Sequence, residues 1–191
     1  MTVTNAAFSL GLVLTLGSGM AELQAAQVTY VFAGIGSGAL GSTEFFLAPF
    51  TITSQSDTNQ ITLPTPDIYH APATSAIVTI TGLNPATFTI PTIIVANDIL
   101  GSAGISAPNQ NRGILFSRGD TALLSYHLDT SIGPLSGTAD YNPGTPFATS
   151  GGNFVIDSIN TATFQATVVP EPSTASLLVI GCVAALVARR R

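Results

Sequence analysis

The chain reads as an all-β protein, with a single antiparallel β-sandwich or jelly-roll-like domain over residues 27–168. Three observations predict this. Apolar and polar residues alternate with period two in segment after segment, as they do on half-buried strands. Glycine, proline and asparagine clusters punctuate those segments at short intervals. No stretch between 27 and 168 carries a convincing helical repeat.

Each element follows from its own residues. Val28, Tyr30 and Phe32 share one face of a first strand. Residues 44–53 form a second, and 75–81 a third. Ala86, Phe88 and Ile90 alternate with Thr87 and Thr89. Residues 93–96, 113–117, 121–128 and 153–159 also read as strands. In the last segment Ala162, Phe164, Ala166 and Val168 alternate with Thr161, Thr163, Gln165 and Thr167. Phe88, Phe154, Phe164 and Val168 are the expected core. Turns are expected at 34–38, 82–85, 101–104, 133–134, 142–144 and 151–152, where Gly, Pro and Asn concentrate. Residues 54–74, with three prolines and a polar run at 54–60, read as a long surface loop.

The two ends differ from this domain. Residues 6–16 form a short apolar run of signal-peptide length, followed by small residues. Segment 1–26 is therefore expected to be a signal peptide. Cleavage is expected near Ala26, just before the first strand pattern, with Ala21 as the alternative; Met1 to Asn5 contain no Lys or Arg. At the other end, 169–191 has three parts. Pro170, Glu171 and Pro172 come first, in a segment the prolines bias toward extended backbone. An apolar run at 174–188 follows, then Arg189, Arg190 and Arg191. A helix of that length spans about 22 Å, against a hydrocarbon core of about 30 Å. The arginines would compensate by reaching to the interface, and they set the orientation with the tail end cytoplasmic.

These three parts, in this order, resemble the PEP-CTERM family of sorting signals. The resemblance covers only 169–191. It implies recognition of Pro170, Glu171 and Pro172 by an exosortase-type processing enzyme of Gram-negative bacteria that often make exopolysaccharide. It also implies removal of the tail after the export machinery has acted. The precursor is expected to be anchored in the inner membrane through the C-terminal transmembrane helix, and the product to lie at the cell surface or outside. A stretch at 131–138 is similar to other passengers of this family and implies no role.

Composition narrows the passenger's chemistry. Charged residues make up only 8% of the 191-residue chain, and there is no Lys. Within 27–169, two arginines (Arg112 and Arg118) face eight acids, a net charge of −6. That balance argues against nucleic acid and anionic lipid, which demand clustered cations. The one cysteine, Cys182, lies in the apolar tail, so the domain has no thiol for a disulfide, zinc or nucleophilic site. Although 179–182 looks like a lipobox, it stands at the wrong end for one, and Cys182 reads as a small apolar helix residue.

His70 and His127 are the only histidines, with Asp67 and Asp129 close in sequence. They would make a metal site only if the fold united them. Ser125, His127 and Asp129 assemble a triad on paper, but residues two apart on a strand stand about 7 Å apart, too far to hydrogen bond. Arg118-Gly119-Asp120 suits a tight turn. Asp57, Asn59 and Asp67 are weak calcium candidates without a recognisable loop motif. No cofactor and no enzymatic activity are expected. The expected role is structural or adhesive, as an exported protein of the cell surface or extracellular matrix. The alternative is a carbohydrate-binding module associated with exopolysaccharide. Against that alternative stand the absence of Trp and only four tyrosines, Tyr30, Tyr69, Tyr126 and Tyr141, because sugar platforms stack on aromatics; exposure of Tyr69 and Tyr141 in one groove would favour it.

Overall fold

A computed structural model describes residues 26–170. Residues 1–25 of the expected signal peptide, Glu171, Pro172, the apolar run 174–188 and Arg189 to Arg191 lie outside the described residues, while Ala26 opens the first strand. The structure is all-β and antiparallel. Its strands are β1 (Ala26–Leu40), β2 (Thr43–Asp57), β3 (Thr62–Thr65), β4 (Ile68–Pro72), β5 (Ser75–Ile80), β6 (Ala86–Thr87), β7 (Ile93–Asn97), β8 (Ser102–Ala107), β9 (Arg112–Arg118), β10 (Ile132–Asp140), β11 (Phe147–Thr149) and β12 (Gly152–Pro170). No helix among the described residues is long and apolar enough to cross a membrane.

The strands form one continuous sheet in the order β3-β4-β7-β8-β9-β10-β12-β1-β2-β5-β6, with β11 also paired to β12. Both flanks curl back over a shared core. On one side Thr89 N–H donates to the Ala148 carbonyl at 3.0 Å and Ser150 N–H to Thr87 at 2.7 Å. These bonds fasten the end of β6 to β11. On the other side Thr74 N–H donates to Gln55 at 2.8 Å, and Ser56 Oγ donates to the Pro72 carbonyl at 2.7 Å. The end of β4 therefore lies against β2.

The core follows the period-two pattern. Val28, Tyr30, Phe32, Ile52, Val78 and Phe164 are buried, and the residues between them face outward. Two aromatic groups fill it. Phe164 packs on Phe32, Tyr126 and Tyr30, with ring centroids 5.2, 5.5 and 6.3 Å away. Phe154 packs on Phe45, Phe50 and Phe88 at 6.0–6.4 Å. Of the expected core residues, Phe88, Phe154 and Phe164 are buried, while Val168 is only half-buried near the end of β12.

Five sequence expectations change. The glycine run 34–38 does not reverse the chain. It lies within β1, where two irregularities bring β12 so close that a Cβ on Gly36 would stand 2.6 Å from the Ser158 carbonyl. Residues 102–104 belong to β8 rather than to a turn, and Gly104 is needed there because the Phe116 ring occupies the space of a side chain. Segment 121–128 opens with a 3-10 turn (Thr121–Ser125), not a strand. Asp120 caps it, accepting from Ala122 N–H at 2.9 Å, while Leu123, Tyr126 and Leu128 enter the core. The expected loop 54–74 contains the end of β2, a 3-10 turn capped by Asp57, β3 and β4. Its polar serines are interior groups: Ser54 Oγ donates to the Ser75 carbonyl at 3.0 Å, just as Ser56 does to Pro72. The turn at 133–134 likewise falls inside β10.

Candidate binding cleft

The outer face of the flank β4-β7-β8-β9-β10 is hollowed into a cleft of about 440 Å³. Alternation explains its lining. Ala71, Ile94, Ala96, Ala103, Ile105 and Leu115 point into the core. The intervening residues form a row across five strands: His70 on β4, Val95 on β7, Gly104 on β8, Phe116 on β9 and Asp140 on β10. Their registered pairing places these side chains side by side about 4.8 Å apart.

Gly104 makes the hollow. With no side chain there, the Phe116 ring lies down over β8, and a Cβ on Gly113 would also stand 2.7 Å from that ring. The result is a half-buried aromatic face set into the sheet. Arg112 and Arg118 bracket it at the two ends of β9. Arg118 Nη1 pairs with Asp140 Oδ2 at 3.0 Å, with the side chains 39% and 50% exposed. Arg112 Nη1 donates to Thr145 Oγ1 at 3.0 Å. Burial holds the His70 imidazole below its usual pKa, so it is neutral at pH 7 and supplies polarity without charge.

The residues singled out from the sequence are distributed differently. His127 Nε2 lies 3.3 Å from Asp98 Oδ2, and its ring stacks on Tyr69 with centroids 4.3 Å apart. Asp98 Oδ1 is buried without a hydrogen-bond partner, and Asp98 N–H donates to the Asp67 carbonyl at 2.9 Å. Partial burial, then the carboxylates of Asp98, Asp67 and Asp129, raise the Tyr69 phenol above its ordinary value. The acids near His127 are thus gathered around Tyr69. His70, next along β4, faces the cleft on the opposite side of the sheet. The two histidines are not brought together, and among the described residues no three His, Cys, Asp or Glu groups are arranged to hold a metal. His127 partners Asp98 rather than Asp129, so the paper triad with Ser125 is not assembled. Asp57 is engaged as a cap on Asn59 N–H at 2.8 Å. Gly119 takes the positive φ of 96° expected of Arg118-Gly119-Asp120, but the segment leads β9 into the 3-10 turn Thr121–Ser125 instead of making a hairpin.

The tyrosines do not build a sugar platform. Tyr30 and Tyr126 are buried, and their hydroxyls donate to the carbonyls of Leu128 and Thr130 at 2.7 and 3.1 Å. Tyr69 packs on His127, while Tyr141 donates to the Asp157 carbonyl at 3.4 Å. The cleft escaped sequence reasoning because its aromatic residue is a phenylalanine. The only two cations of 27–169 stand six residues apart on one strand, but a bulge at Ile114, where Ile114 and Leu115 are both buried, breaks the alternation between them, so that spacing was no guide to the cleft.

The face of β12-β1-β2-β5 has another character. Three registered rows cross it: Thr163-Ala33-Thr51-Thr79, Gln165-Val31-Thr53-Ile77 and Thr167-Thr29-Gln55-Ser75. All twelve residues are half-buried or exposed, and none is charged. Comparison with protein-family models, with curated proteins and with solved structures found no match to this chain.

Proposed function

We propose that the chain is an exported structural or adhesive protein of the cell surface or extracellular matrix. On this reading it is made with a signal peptide and held at the inner membrane by a PEP-CTERM tail until an exosortase-type enzyme cuts near Pro170, Glu171 and Pro172. One observation carries the reading. Ala26 and Pro170 are registered partners at the same end of the β1–β12 ladder. The described ladder therefore brings the expected signal-peptide cut and the first residue of the expected sorting motif side by side. Both processing sites then leave the domain at one end, where a membrane-bound enzyme has access without unfolding it. The uncharged, hydroxyl-rich rows on β12-β1-β2-β5 suit a contact surface, because Thr and Ser offer both hydrogen bonds and methyl or methylene area without the desolvation cost of charge. We read the curled sheet, with its flanks facing each other across one core, as sandwich-like.

The test is fractionation of the native host. Changing Pro170, Glu171 and Pro172 together is expected to leave an uncut, membrane-held precursor. Normal processing of that variant overturns the sorting reading. A second reading, carbohydrate binding, loses the tyrosine platform and is favoured instead by the Phe116 cleft.

A further inference from the structure

We infer that the cleft on β4-β7-β8-β9-β10 binds an acidic saccharide chain, with Phe116 as the stacking platform and Arg112 and Arg118 as the carboxylate contacts. The inference rests on the carbohydrate reading and names its ligand class.

Four features converge on this ligand. The first is shape. The cleft crosses five registered strands, about 19 Å at about 4.8 Å per strand spacing, which suits several linked sugar rings rather than one. Its volume, about 440 Å³, falls within the range of small-ligand sites. The second is the aromatic face. The Phe116 ring is laid over Gly104 and Gly113, held flat by the sheet, and offers the apolar surface on which the C–H face of a pyranose stacks.

The third is charge. Both cations of a domain with net charge −6 line this one cleft, against a single acid, Asp140. Chance would scatter them. A guanidinium offers a planar fork of donors that matches a carboxylate. The only side-chain hydrogen bond of Arg112 among the described residues goes to the neutral Thr145 hydroxyl. Arg118 is held by Asp140 in a pair whose two members are 39% and 50% exposed. Such a pair is weak and exchangeable. The fourth feature is polarity without competing charge. His70, neutral at pH 7, and the side chain of Asn97 face sugar hydroxyls along the same floor.

The test titrates the full chain, purified in a non-ionic detergent, with an oligogalacturonate of four to six units (a length set by the strand spacing). A neutral oligosaccharide of equal length and a single-stranded DNA of matched charge serve as comparisons. Calorimetry at low salt reads the affinities. Oligogalacturonate is expected to bind at least tenfold more tightly than either comparison. Arg112→Gln is expected to lose that preference while the thermal unfolding curve stays unchanged. Phe116→Ala should weaken binding of every saccharide. Asp140→Asn, which frees Arg118, should tighten binding of the acidic chain, an effect opposite in sign to general damage.

Equal binding of neutral and acidic chains overturns the acidic assignment and leaves the carbohydrate reading standing. DNA binding as tight as oligogalacturonate reduces the cleft to a polyanion patch and overturns both. Absence of saccharide binding also overturns both, as does acidic-chain binding that Arg112→Gln does not touch.

Discussion

Phe164 is the position where the packing argument is most exposed to test. Its side chain is fully buried and touches three other rings, those of Phe32, Tyr126 and Tyr30. Truncation to alanine removes the ring's transfer free energy and leaves a cavity that rigid strands on both sides cannot close. Such changes cost about 3–5 kcal/mol. The upper half of that range is expected here, because each aromatic pair adds about 0.5–1.5 kcal/mol beyond its area. Against a total stability of about 5–15 kcal/mol, Phe164→Ala removes about a quarter or more. In a domain of this size the melting temperature should fall by about 8–20 °C, at about 2–4 °C per kcal/mol. Phe46, 81% exposed, is the matched control, and Phe46→Ala should stay within about 0.5 kcal/mol of wild type. Urea unfolding followed by tyrosine fluorescence suits the protein, since it has no Trp and Tyr30 and Tyr126 both adjoin Phe164. A loss below about 1 kcal/mol for Phe164→Ala, or an equal loss at Phe46, would refute the packing.

Further outcomes follow from other sites. Burial, then Asp129, raises the Tyr30 phenol; burial, then Tyr30 and Asp129, raises that of Tyr126. Their neutral forms are retained in the fold above the ordinary value of about 10, so the stability they contribute is present below that pH and is lost as pH rises toward the folded values. Alkaline unfolding curves should show this slope, and Tyr30→Phe should flatten it. At neutral pH Tyr30→Phe should cost about 1–3 kcal/mol by leaving the buried Leu128 carbonyl unpaired. Burial lowers the His70 pKa, so its contribution should run the other way, with stability falling as pH drops below about 6.5. His70→Gln should remove that acid sensitivity in a pH series of melting curves. Gly104→Ala should lift the Phe116 ring from the sheet, weakening saccharide binding more than it lowers the melting temperature. Deleting 170–191 should release a folded protein into the medium, read by immunoblot, because the ladder from Ala26 closes at Pro170.

The strands with one buried face were legible because their periodicity is clean: Val28, Tyr30 and Phe32, or Ala162, Phe164 and Ala166, leave little choice. Three kinds of residue misled. Glycines at 34–38 and at 104 signalled turns, yet their use is close approach of backbone or ring within strands, which no single-chain pattern distinguishes from reversal. Ser54 and Ser56 read as solvated, although carbonyls from 75 and 72 satisfy their hydroxyls in the interior. Asp120 was counted as a charge, whereas its position as a cap decides that 121–125 coils. The cleft was hidden for a related reason. It is made by registers between β4, β7, β8, β9 and β10, and register is a property of pairs of strands rather than of either one.

The pairing of Ala26 with Pro170 also governs how the protein carries load. A pull applied between the two ends of the folded unit opens the β1–β12 ladder from its terminus, so that its hydrogen bonds break one after another under small force. A pull entering through the threonine rows and leaving through the end of β12 acts along that strand instead. Strand β12 is gripped by β1 on one side and β10 on the other, so many bonds must fail together. The described domain should therefore yield easily when its two ends are pulled apart and resist far more when loaded along β12.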